Sequence, residues 1–207
     1  MPAARQTATR IPFVGLTGSI AAGKSEALAA LGRLGAATLS ADAVVHELLA
    51  DDRVRETLVA RWGDEVAPGG SVDRARVGQI VFEDPGELAW LERTLHPLVG
   101  EEILAWRDGL DATTPVAVVE VPLLFESGME AVFDATISIV ADDEIRVRRA
   151  GARGTADLEA RAGRQMSASE KAVRATHVVD NDGSVEDLEA ALRGLMPRLS
   201  RAADGDD

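Results

Sequence analysis

Cysteine is absent from this 207-residue chain, which excludes disulfides and thiolate-bound metals and leaves the redox compartment undecided. No apolar run approaches the roughly 20 residues needed to cross a bilayer. The polar, basic stretch 1–12 also has no apolar segment of signal-peptide length. Together these absences make the cytoplasm the default location. Positive charge is scarce: the formal net charge is −13. Such a surface repels nucleic acid and anionic membranes at long range, so neither is an expected partner, and no protein partner is readable. Lysine is rarer still, with only Lys24 and Lys171 against twenty arginines. Any anionic ligand therefore needs a local basic cluster. The remaining composition, 46% hydrophobic and 28% charged, is that of an ordinary globular protein with room for one sizeable α/β domain.

Apolar runs recur at 13–16, 36–39, 116–121, 136–140 and 177–179. They are continuous rather than alternating, as in strands buried on both faces of a parallel sheet. Helical patterns separate them, so the chain reads as a doubly wound α/β fold. The spacing is uneven. About 75 residues, too many for one crossover helix, separate the second and third runs and read as helices near 42–50, 52–62, 73–82 and 85–108. A turn at 67–71 (APGGS) breaks that region. We expect a core made of 11–41, 112–145 and 170–200, a helical insertion over 42–111, and an arginine-rich segment over 146–169. Residues 1–10 and 201–207 read as disordered tails.

The densest chemistry lies at Gly18-Ser19-Ile20-Ala21-Ala22-Gly23-Lys24-Ser25, which fits G-x-x-x-x-G-K-[ST] between a strand and a helix. Gly18 and Gly23 let the backbone N–H groups wrap phosphate oxygens, and the helix N-terminus adds unpaired donors. Lys24 reaches the β- and γ-phosphates of a nucleotide, and the Ser25 hydroxyl ligates Mg²⁺. The loop alone does not name a reaction, since the fold serves kinases, switches and motors. The guanine-reading Asn-Lys-x-Asp motif is missing, because Lys171 follows Glu170. The acidic charge disfavours a DNA-dependent ATPase. A non-catalytic nucleotide-binding module stays open, but a small-molecule kinase also accounts for the insertion, the acids and the arginines.

Arg149, Arg153, Arg161 and Arg164 form the basic cluster that an acidic chain needs for polyanions, and their planar donors suit phosphate. Some of them face the competing reading of a solvated helix paired with Asp142, Asp143, Glu144, Asp157 and Glu159. Asn181 follows the last strand and is a candidate nucleotide contact. Leu123, Leu124 and Phe125 read as core, while Glu120 and Glu126 divide between water-mediated Mg²⁺ binding and structure. Trp62, Trp90 and Trp106 read as packing residues, and His177 as structural. At His96-Pro97 we expect a helix break.

Six stretches, GLTGSIAAGKS, SADAVVHELL at 40–49, LERTLHPLV at 91–99, VPLLFE at 121–126, RAGRQ at 161–165 and VVDNDG at 178–183, occur in an order and spacing that resembles the dephospho-CoA kinase family over about 13–195. The resemblance implies a P-loop kinase-type three-layer fold with a five-stranded parallel sheet, a helical CoA domain and an arginine-rich lid. It implies ATP and dephospho-CoA as substrates, with Mg²⁺, and γ-phosphoryl transfer to the ribose 3′-hydroxyl. Asp42 matches the family's likely base. Its place just beyond a parallel strand suits that role, although a helix cap is the competing reading. His46 and His96 resemble family positions in the substrate domain. The chain departs from the usual GGIGSGKS loop at Ser19 and Ala21, and Ala21 is harmless only if its φ stays negative. Glu26 replaces a common Thr, so it either points away or pairs with a lid arginine. Ser40 stands where an Asp is usual, and the lid is about three residues short.

Overall fold

The computed structural model describes residues 10–152 and 165–204. Among these residues five strands form one sheet in the order β2-β3-β1-β4-β5. They are β1 (Phe13–Gly18), β2 (Ala37–Ser40), β3 (Ala117–Glu120), β4 (Ala135–Val140) and β5 (His177–Asp180). The β1–β3, β1–β4 and β4–β5 pairs are parallel, with Val14 opposite both Val118 and Ala135. Each expected apolar run supplies one strand, and the central β1 is buried along its whole length. Continuous apolar character is what a strand covered on both faces requires.

The chain divides into two compact units, one of 1–39 with 110–207 and one of 40–109. In the first, α1 (Lys24–Arg33) and α8 (Val185–Leu199) cover the sheet. Leu188, Leu192, Leu195 and Leu199 on α8 join Val14, Leu16, Ile137 and Ile139 in the core. Their three- and four-residue spacing sets them on one helix face. A capping box between Ser184 and Asp187 starts α8. This unit also holds α6 (Asp143–Ala152) and α7 (Ala168–Arg174). The expected C-terminal tail is ordered further than the sequence implied: Ala202–Asp204 form a 3₁₀ turn, and Ala202 packs on the core. Residues 1–9 and 205–207 lie outside the described residues.

The second unit consists of α2 (Ala41–Leu48), α3 (Asp52–Trp62), α4 (Arg74–Glu83) and α5 (Pro85–Asp108). Asp51, Asp73 and Asp84 each cap the next helix by accepting backbone N–H groups. The core of this unit includes Val54, Leu58, Val66, Val77 and Leu95, with Trp62 and Trp90 packed against them. Those two indoles meet edge to face at 5.1 Å between centroids, as packing residues do. The break expected at His96-Pro97 does not occur, and α5 runs through Pro97. Burial of Leu95, Val99 and Ile103 on both sides of the proline offsets the roughly 3 kcal/mol that an interior proline costs.

Candidate active site

The phosphate loop spans the gap between β1 and α1, and close approach dictates its two glycines. A Cβ on Gly18 would lie 2.4 Å from the Ile139 carbonyl oxygen, and one on Gly23 would lie 2.1 Å from Asn181 Nδ2. Gly23 is also left-handed, with φ 99°, and serves as the N-cap of α1 without a side-chain cap. The first N–H groups of α1 are thus left to an incoming anion, and the helix dipole points its positive end the same way.

Protein donors hold the loop carbonyls. Lys24 Nζ donates to the Ser19 carbonyl at 3.1 Å. Arg146 Nε donates to that of Ile20 at 3.0 Å, and Asn181 Nδ2 to that of Ala22 at 2.7 Å. Arg149 in turn donates to the Asn181 carbonyl at 2.8 Å. These contacts fix the carbonyls of Ser19, Ile20 and Ala22 from three separate side chains. Buried Asn181 therefore acts on the loop itself, and Arg149 sits beside it. Arg146 was missed in the sequence, where its ion pair with Asp143 looks like an ordinary solvated contact. Arg153, Arg161 and Arg164 lie outside the described residues.

Ala21 departs from what the sequence required. Its φ is +60°, the only positive value for a non-glycine among the described residues. The left-handed conformation costs a residue with a Cβ about 1–2 kcal/mol. The loop holds Ala21 in that conformation although alanine's own preference is the opposite. Glu26 pairs with Arg33 of its own helix at 3.0 Å, and Arg33 also meets Glu189 at 2.8 Å. Glu189 first and Glu26 second hold the Arg33 guanidinium above its ordinary pKa.

An unsatisfied buried atom in the loop suits a nucleotide's phosphate. Ser19 is 4% exposed, yet its Oγ is buried without a hydrogen-bond partner among the described residues. A buried hydroxyl left unpaired costs about 1–3 kcal/mol, and a bound phosphate would relieve it. Ser25 is exposed at the start of α1, free to reach a cation. No cluster of three or more acidic or histidine ligands exists among the described residues.

Asp42 belongs to the other unit. It is exposed in the first turn of α2, which begins at Ala41. The residue at the cap position is Ser40, so Asp42 is not the N-cap. His46, four residues on, shares its helix face. His46 Nδ1 lies 3.0 Å from Arg74. Arginine only donates, so Nδ1 is the acceptor in this contact. His46, Arg55 and Arg74 line a cavity of about 150 Å³ within this unit. His96 is exposed on α5.

The family model described as dephospho-CoA kinase matches residues 12–187. The chain belongs to the dephospho-CoA kinase family. It is 43% identical to the dephospho-CoA kinase of Symbiobacterium thermophilum, over 87% of this chain and 80% of that one. Identity to the enzyme of Thermus thermophilus is 37%, over 93% and 94%. Among solved structures, a dephospho-CoA kinase from Campylobacter jejuni superposes with a TM-score of 0.68 at 28% identity, covering 91% of this chain and 97% of that one. A shikimate kinase from Acinetobacter baumannii, 17% identical with a TM-score of 0.51 over 93% and 96%, shares the fold alone. The architecture of this dephospho-CoA kinase family member is thus the α/β P-loop kinase fold.

Proposed function

We propose that this protein transfers the γ-phosphoryl group of ATP to the 3′-hydroxyl of dephospho-CoA, giving coenzyme A and ADP. The observation that carries the reading is the braced phosphate loop at the open N-terminus of α1, in a chain of this family. Lys24 holds the β- and γ-phosphates and stabilises charge on the phosphoryl group in flight. Gly18 to Glu26 and Asn181 form the nucleotide site, Asn181 by fixing the loop. Ser25 would hold Mg²⁺, which when bound neutralises charge on the β- and γ-oxygens. Asp42 accepts or orients the proton of the attacking hydroxyl. Arg149, Arg153 and Arg161 bring positive charge to phosphate, which an acidic chain must concentrate locally.

The 40–109 unit serves as the acceptor domain, and the cavity lined by His46, Arg55 and Arg74 suits an anionic group of the acceptor. His96 is a further candidate contact there. With ATP as co-substrate, the reading places the enzyme in the cytoplasm. Among the described residues, no helix is long and apolar enough to cross a membrane. The test is a purified-protein assay with ATP, Mg²⁺ and dephospho-CoA, beside AMP, dCMP and shikimate. Mass spectrometry should find coenzyme A as the main phosphorylated product. Preferential phosphorylation of another acceptor would refute the assignment.

A further inference from the structure

The second of the two lysines is buried. Lys171 on α7 is 0% exposed, and burial pushes its ammonium below the ordinary lysine pKa against the opposing pull of Glu126. Its Nζ donates to three acceptors: the Pro122 carbonyl at 2.6 Å, Glu126 Oε1 at 3.0 Å and Thr17 Oγ1 at 3.4 Å. An ammonium has three hydrogens pointing in three directions, and all three are used. A planar guanidinium does not have that geometry, which accounts for a lysine in a chain that otherwise favours arginine. The Thr17 hydroxyl passes its own hydrogen to the Pro122 carbonyl at 3.2 Å. Glu126 Oε1 also accepts from the Met166 N–H at 2.8 Å.

The acceptors come from separate segments. Thr17 is the residue before Gly18, where the phosphate loop starts. Pro122 and Glu126 lie in the turn after β3, and Met166 precedes α7. Arg174, at the far end of α7, reinforces the same join by pairing with Glu130 at 2.7 Å and lying 5.4 Å over the Phe125 ring. A buried ion pair is a poor source of stability, because desolvation offsets most of the attraction. Among the described residues Glu126 Oε2 is also buried without a partner, which adds to the cost. The distinctive yield of this network is geometric.

We infer that Lys171 and Glu126 are positioning residues for phosphoryl transfer: together they hold Thr17, and with it the start of the phosphate loop, to the turn after β3 and to the chain at Met166. The inference rests on the kinase reading for its activity arm and not for its structural arm. Neither residue touches the phosphates. They act through the position of Gly18 and the loop beyond it.

The test uses the full chain. Lys171→Met alone leaves Glu126 buried and unpaired, so the informative variant is Lys171→Met/Glu126→Gln, which removes both charges and keeps the volume. Folding is checked by circular dichroism and melting. We expect a folded protein with kcat at least about tenfold lower and KM for ATP changed less than about threefold, since the loop still binds but is misplaced for the transition state. Lys171→Arg should not restore kcat. Thr17→Val should lower kcat in the wild type and lower it by a smaller factor in the double variant, where the Lys171 bond to the hydroxyl is already gone and only the bond to the Pro122 carbonyl is left to lose. Independently of any acceptor, amide hydrogen exchange at 17–23 should rise at least about tenfold while β4 is unchanged. Wild-type kcat in the folded double variant, or unchanged exchange at 17–23, overturns the positioning role and leaves a purely structural pair. Absence of coenzyme A formation by the wild type refutes the kinase reading instead, and the exchange result still decides the role of Lys171.

Discussion

Replacing Ala21 with glycine should make this protein more stable, an unusual expectation for a glycine substitution. Ala21 is held at φ +60°, where a Cβ crowds the carbonyl and costs about 1–2 kcal/mol. Glycine pays no such cost but loses more freedom on folding, roughly 0.5–1 kcal/mol. The difference spans about 0–1.5 kcal/mol and centres on a net gain of about 0.75 kcal/mol. At about 2–4 °C per kcal/mol for a chain of this size, that central gain should raise Tm by roughly 1.5–3 °C. Urea unfolding of nucleotide-free protein, followed by circular dichroism, gives the free energy, and a melting scan gives Tm. Ala21→Val is the opposing control, because a β-branched residue fits the left-handed region worst; it should lose at least about 1 kcal/mol. The glycine variant should keep kcat within about threefold, since the loop shape is retained. Destabilisation by Ala21→Gly, or a valine variant as stable as the wild type, would falsify the claim that the folded loop strains this residue.

Further tests address other parts of the site. Lys24→Ala should fold normally and lose at least about a hundredfold in kcat, measured by coupled ADP release, because it removes charge stabilisation from the moving phosphoryl group. Asp42→Asn should lower kcat about a hundredfold with a smaller change in KM for ATP; intact kcat would end its role as base. Asn181→Ala removes the 2.7 Å bond to the Ala22 carbonyl and should cost about 1–3 kcal/mol, with KM for ATP raised more than kcat is lowered. In the second unit, Arg61 first and Trp62 second hold the Glu87 carboxyl below its ordinary pKa. Its stabilising contribution is present above the unfolded carboxylate range and disappears as pH falls through the folded value. An acid titration of tryptophan fluorescence should therefore show a low-pH step that Glu87→Gln abolishes.

The order of strands and helices was legible because burial on both faces demands continuous apolar runs, and these are local in the chain. The G-x-x-x-x-G-K-S pattern was legible for a similar reason: its glycines, Lys24 and Ser25 stand at fixed spacing in one short stretch. Membership of the family was readable from six short stretches in order. Other features depended on contacts between distant segments. Nothing near Asn181 in the sequence says that its amide meets Ala22, or that Arg146 reaches Ile20. The sign of φ at Ala21 comes from the closed loop rather than from alanine, whose own preference is the opposite. Pro97 signals a break locally, and packing on either side overrides it. Lysine scarcity made Lys171 conspicuous without giving it a role. Its three acceptors, Thr17, Pro122 and Glu126, lie 154, 49 and 45 positions away along the chain, and only the folded sheet brings them around one ammonium.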